Sequence, residues 1–169
     1  MPLLDMEVYG ALGLPPSFAS VSRDEYPVDT VFGPHEAEAV LTGLAEALAF
    51  LASRRIIHGD VYAHNTLVSR PDATDMPALL TDFGAAWFAT EANAAAAERV
   101  EVRAFGCLVE ELATMIRAGD EAEKDGGAAT TAAAALRTRL VRLAERCMNE
   151  SDVMARPSFA EVLLCLRQR

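Results

Sequence analysis

Apolar residues fall into four stretches with helical spacing, and short β-like runs separate the first stretch from the second. Val40, Leu41, Leu44, Leu48 and Leu51 mark one face of a helix predicted from Pro34 to near Ser53. Pro34 suits a first helical turn, and Glu36 and Glu38 suit the positive end of the helix dipole. Two short runs, Arg55-Ile56-Ile57 and Thr66-Leu67-Val68, precede a polar turn over 69–77 and a further run at Ala78-Leu79-Leu80-Thr81, which together predict a small hairpin. A second helix is predicted over Glu98–Arg117, on Val102, Phe105, Leu108, Val109, Leu112 and Met115, with Ala94–Ala97 compatible with helix ahead of it. Residues 119–131 read as an acidic linker. Leu136, Leu140, Leu143 and Met148 mark a third helix, and Ser158 with Glu161 forms a capping box for a last short one. Residues 1–33 carry Gly10, Gly13, Pro15, Pro16, Pro27 and Gly33 around short apolar runs, so Leu3–Tyr9 is predicted as a strand and the rest as loop. The pattern is α+β, mainly helical, and the length of 169 residues fits one domain.

Half of the residues are apolar and a quarter charged, the balance of a globular protein. A net charge of -10, with no basic stripe, argues against a nucleic-acid partner. No long uncharged apolar stretch suggests a membrane span, and the beginning Met-Pro-Leu-Leu-Asp does not have the form of a secretory signal. Cys107, Cys147 and Cys165 are odd in number and widely spaced, which suggests reduced thiols and a cytoplasmic setting rather than a disulfide framework or a zinc site.

The chemistry-bearing segment is His58-Gly59-Asp60-Val61-Tyr62-Ala63-His64-Asn65, followed by Asp82-Phe83-Gly84. Asp and Asn supply hard oxygens suited to Mg²⁺, and a carboxylate can orient an attacking hydroxyl. Apolar Ile57 and Leu67 flank the loop and would anchor it while its polar residues project into a cleft.

Here the chain resembles the protein-kinase family. The resemblance implies a kinase-like C-terminal lobe over 34–169, with 1–33 as a hinge-like strand and loop. It implies that Asp60 accepts the proton of the attacking hydroxyl, that Asn65 and Asp82 hold Mg²⁺ against the phosphates of ATP, and that Leu67 lies beneath the adenine. Glu101-Val102-Arg103-Ala104-Phe105-Gly106 resembles the helix that supports the catalytic loop from below, with Glu101 in place of the usual Asp. Ala155-Arg156-Pro157 resembles the terminal Arg-Pro segment, with Glu98 as the nearest candidate partner of Arg156.

The resemblance begins at the hinge. No G-x-G-x-x-G loop and no V-A-I-K lysine precede it, so an N-lobe is expected to be lost, encoded upstream or supplied otherwise, and transfer by the isolated chain is expected to be slow. Gly59 stands where the family usually has the Arg that reads an activation-loop phosphate. Tyr62 and His64 stand where residues distinguishing Ser/Thr from Tyr substrates usually lie. The segment after Asp82 is short and Ala-rich for a substrate platform. Two alternatives stay open: a catalytically inactive pseudokinase that binds a protein partner, and a small-molecule kinase of the aminoglycoside or choline type. Asp82-Phe83-Gly84, Phe105-Gly106 and Arg156-Pro157 favour the protein-kinase side. The expected partners are a protein substrate or binding protein, with possible dimerisation through the surface left by the missing lobe. His35, Trp87 and Phe88 are assigned no function, the two aromatic residues being expected to pack against the lobe.

Overall fold

The computed structural model describes residues 7–21, 23–69, 77–117, 128–149 and 151–168. The expected turn over 69–77 and the linker from 119 lie mostly outside them, as does most of the expected Leu3–Tyr9 strand.

The first helix, α1 (Pro34–Ser53), starts on an extended Gly33 whose N–H donates to Glu36 Oε2 at 3.3 Å. It ends where Arg55 takes φ +57 and the N–H groups of Arg54 and Arg55 bond the carbonyls of Leu51 and Ala52. Its apolar face is buried as predicted: Val40, Leu41, Leu44 and Leu48 are at most 2% exposed. Burying each such side chain contributes about 1.5–3 kcal/mol.

Helix α2 (Ala94–Met115) runs through the centre, four residues longer at its start than the Glu98 boundary because Ala94–Ala97 continue the helix. Beyond its end Ile116 bridges Phe32 in parallel, with Phe32 N–H on the carbonyl of Met115 and Arg117 N–H on that of Phe32. Helix α3 (Ala128–Cys147) packs along α2. It already includes 128–131, which the sequence pattern placed in the linker. The two helices meet at Gly106, where an added Cβ would lie 2.6 Å from Cys147 Cβ, so only a hydrogen fits there. Helix α4 (Phe159–Arg167) is capped by Ser158 and Glu161 as predicted and packs on α1; Phe159 meets Phe105 edge-to-face at 5.8 Å.

The strands form two small sheets rather than one hairpin. β1 (Tyr9–Ala11), β3 (Thr66–Ser69) and β4 (Ala78–Leu80) make an antiparallel sheet in the order β1-β3-β4, with Leu67 opposite Ala11 on one side and Leu79 on the other. β2 (Ile56–Ile57) instead pairs with β5 (Trp87–Phe88), Ile57 opposite Trp87. Trp87 and Phe88 were expected to pack against the lobe; they are 43% and 79% exposed, on a ribbon of only two strands with no third strand beside it among the described residues. The N-terminal segment is pinned to α2 by Arg23, which bridges Glu110 and Glu111, and by Tyr26, whose hydroxyl donates to Glu111 at 2.8 Å. Desolvation, with Glu111 alongside, pushes the Tyr26 phenol well above its ordinary range. The three cysteines are free thiols. No helix among the described residues is long and apolar enough to cross a membrane.

Candidate active site

The loop between β2 and β3 is organised by a buried imidazole. His58 is 0% exposed; its Nε2 lies 2.9 Å from the carbonyl of Thr81, while its Nδ1 accepts the N–H of Asp60 at 3.3 Å. Both bonds are met by the neutral ring protonated on Nε2. One side chain thus ties the loop carrying Asp60 to the strand end that precedes Asp82. Phe83 packs edge-on against the same ring, centroids 4.8 Å apart.

Asn65, at the end of a 3-10 turn and 4% exposed, donates its side-chain amide to Asp60 twice: to the carbonyl at 3.0 Å and to carboxylate Oδ2 at 2.8 Å. Two acceptors fix the NH₂ end toward Asp60, which leaves Asn65 Oδ1 as the oxygen free to meet a cation. The Asn65 carbonyl in turn accepts both the N–H and the hydroxyl of Thr81, at 2.8 and 2.9 Å. The next residue, Asp82, has a left-handed backbone (φ +55, ψ +75), an exposed side chain, and Oδ1 accepting Gly84 N–H at 3.1 Å. Asp tolerates this conformation better than most residues, and non-glycine residues held there concentrate at functional sites. Asp60, Asn65 and Thr81 therefore form one hydrogen-bonded network, and Asp82 adjoins it as the residue that follows Thr81. Leu67 is held apart from them, in the middle strand of the three-stranded sheet.

Gly59 has a steric reason. Its φ is +81, and an added Cβ would stand 2.8 Å from the carbonyl oxygen of Ala85. The segment after Asp82 crosses directly over the loop, so an arginine here would be both strained and blocked. From below, Gly59 N–H donates to Glu101 Oε1 at 2.7 Å, the support expected from α2. Burial pushes the Glu101 carboxyl above its ordinary range, partly offset by the amides of Gly59 and His58.

Two features differ from expectation or escaped it. Arg156 is buried, but it bonds the carbonyls of Asn149 (2.8 Å) and Arg99 (3.2 Å) rather than Glu98, which accepts from Phe159 N–H and Arg99. Asp24 was not singled out, yet its fully buried carboxylate holds His64 Nδ1 at 2.7 Å and His64 N–H at 3.2 Å, and Tyr62 stacks on that imidazole at 5.4 Å. These partners lie 40 residues apart, and no local motif marks the first of them.

Among the described residues no group of three or more His, Cys, Asp or Glu side chains could hold a metal unaided. The oxygens of Asn65 and Asp82 suit Mg²⁺, which commonly takes one or two protein ligands and completes its shell with water and phosphate.

No protein-family model matches the chain. Over 83 residues, 49% of its length, it is 36% identical to the serine/threonine-protein kinase PknF of Mycobacterium tuberculosis, in strains H37Ra and H37Rv, and to that of Mycobacterium bovis. The match covers 17% of each of those proteins. This partial similarity supports a relationship to the protein kinases.

Proposed function

We propose that this chain is a protein-kinase-like C-lobe, 34–169 with a hinge-like 1–33, that takes part in ATP- and Mg²⁺-dependent phosphoryl transfer to a protein hydroxyl and is incomplete by itself. The observation that carries the reading is the pair of hydrogen bonds from the Asn65 amide to Asp60, with the Asn65 carbonyl held in turn by Thr81, the residue before Asp82.

Bound Mg²⁺·ATP supplies the phosphoryl group and neutralises its charge; Asn65 Oδ1 and the Asp82 carboxylate would hold the metal, and Leu67 would lie against the base. Asp60 orients the acceptor hydroxyl and takes its proton. With Oδ2 held by Asn65, the carboxylate is fixed in direction, and that positioning is most of what a phosphoryl-transfer site contributes. The groove along Gly43, Phe50, Leu79 and Phe83, with Phe50 and Phe83 57% and 49% exposed, is where a second lobe or a second copy would sit.

A fusion of the chain behind the N-lobe of a PknF-type kinase tests this. With Mg²⁺ and ATP it should phosphorylate a generic protein acceptor, and Asp60→Ala should lower the rate about 10²–10⁴-fold. Equal transfer by the fusion and by its Asp60→Ala and Asp82→Ala variants would refute the proposal.

A second reading, a non-catalytic interaction module, is favoured by the short, exposed connection over 83–93, which leaves little chain to position a substrate. Full nucleotide binding by the fusion without any transfer would select it.

A further inference from the structure

Asp24 does not belong to the loop that carries Asp60, yet it holds that loop at the residue before Asn65. Its carboxylate is fully buried, and both oxygens meet His64: Oδ1 the ring Nδ1 at 2.7 Å, Oδ2 the backbone N–H at 3.2 Å. A carboxylate only accepts, so the hydrogen of the shorter contact lies on Nδ1, and the main chain and ring of His64 are fixed together. His64 is the middle residue of the 3-10 turn Ala63–Asn65, which closes with Asn65 N–H on the carbonyl of Tyr62 at 3.2 Å, and the Tyr62 ring stacks on the imidazole.

The stretch that presents Asp24 is itself anchored on either side. Arg23 bridges Glu110 and Glu111 of α2, Glu25 exchanges both main-chain bonds with Leu14 at 2.7 and 3.0 Å, and Tyr26 donates to Glu111. The chain just before Leu14 grips the same turn: Leu12 N–H donates to the carbonyl of Thr66 at 2.8 Å, and Gly13 lies so close that an added Cβ would stand 2.9 Å from Ala63 Cβ. Ala63, His64 and Thr66 are thus each met by the N-terminal segment. An apolar contact would hold a loop here without the cost of desolvating a charge. What a carboxylate adds is direction, as where a second carboxylate orients a metal-binding or proton-handling imidazole.

We propose that Asp24 is a positioning residue of the phosphoryl-transfer site, acting through His64 to fix the turn that aims the Asn65 amide at Asp60 and so leaves Asn65 Oδ1 toward the cation. The part in transfer rests on the reading given under the proposed function; the placement of the Asn65 amide does not. The segment ahead of α1 becomes part of the site although it supplies no group that touches substrate.

The test is Asp24→Asn in the 169-residue chain, since an amide presents one accepting oxygen in place of two and cannot hold both hydrogens of His64. Tyr26→Phe is the control: it removes a bond of the same segment, to Glu111, and leaves Asp24 in place. In ¹H–¹⁵N spectra the Asn65 side-chain amide should be protected from hydrogen exchange in the parent. Asp24→Asn should speed that exchange about tenfold, the net loss of roughly one hydrogen bond, and should move the His64 ring ¹⁵N signals. Tyr26→Phe should leave both unchanged, whatever its own loss of thermal stability. With ATP and substoichiometric Mn²⁺, broadening of the Asn65 amide should weaken in Asp24→Asn and persist in Tyr26→Phe. Should Asp24→Asn fail to fold, His64→Ala, which removes the ring contact and keeps the main-chain bond to Asp24, should accelerate Asn65 exchange in the same way. Unchanged Asn65 exchange in the variant that folds, or equal acceleration in Tyr26→Phe, overturns the proposal. No Mn²⁺ broadening in the parent would instead overturn the phosphoryl-transfer reading, and the exchange comparison would still decide whether Asp24 positions Asn65.

Discussion

The helical platform and the loop it carries are stabilised in different ways. In α1, α2 and α3 the contacts are apolar and redundant: Phe105, Leu112 and Leu140 are fully buried among many like neighbours. Around Asp60 they are polar and few, and nearly every one passes through His58, Asn65, Thr81 or Gly59. Loss of a contact in the platform should therefore subtract from the stability of the whole, whereas loss of one in the loop should misplace particular oxygens while the fold persists.

The largest effect should come from the platform. Phe105→Ala removes a fully buried ring from its edge-to-face contact with Phe159 and should cost about 3–5 kcal/mol in chemical denaturation, lowering nucleotide binding only as far as it unfolds the chain. Gly59→Ala is the sharper test of the loop. It forces a side chain into a positive-φ position against the Ala85 carbonyl and should cost about 1–3 kcal/mol, with loss of Mg²⁺·ATP binding out of proportion to the stability change. If binding and stability fell together, the two regions would not be separable.

Asn65→Ala should cost only about 1 kcal/mol in stability, since its partner, the half-buried Asp60, can turn its carboxylate to water. It should nevertheless abolish the thermal stabilisation by Mg²⁺·ATP, which for a saturating ligand at about one hundred times its Kd is about 2.7 kcal/mol. The smallest effect should be that of Glu101→Gln, and it should depend on pH. A carboxyl whose folded pKa lies above its ordinary 4.5 binds its proton more tightly when folded, so its ionisation weakens the fold as pH rises through that window. The urea midpoint of Glu101→Gln relative to the parent should therefore climb as pH rises above the ordinary carboxyl range. A difference independent of pH would show that Glu101 is not carrying a raised pKa.

The same contrast explains what could be read from the sequence. The platform was legible because burial imposes helical spacing on Leu41, Leu44, Leu48, Phe105, Leu108 and Leu112, and a capping box announces α4. Helix starts were less so: Ala-rich stretches at 94–97 and 128–131 have strong helix propensity but no apolar periodicity. Asp60, Asn65 and Asp82 stood out through residue type and spacing, and Glu101 through its place in a recognisable helix. Pairings between distant segments did not. Ile56-Ile57 joins Trp87-Phe88 rather than the neighbouring hairpin, Asp24 reaches His64, and Arg156 turns to two carbonyls. Short strands and side chain to backbone bonds leave no period in the sequence, and the clash behind Gly59 exists only once residue 85 has folded over it.

The most direct test of the account is where a divalent cation sits when nucleotide binds. In ¹H–¹⁵N spectra of the chain with ATP and substoichiometric paramagnetic Mn²⁺ in place of Mg²⁺, the side-chain amide of Asn65 and the backbone amides of Asp82 and Gly84 should broaden selectively, and Asp82→Asn should restore them. Broadening centred on any other part of the molecule, or unchanged by Asp82→Asn, would contradict the claim that Asn65 and Asp82 form the metal-holding half of a phosphoryl-transfer site.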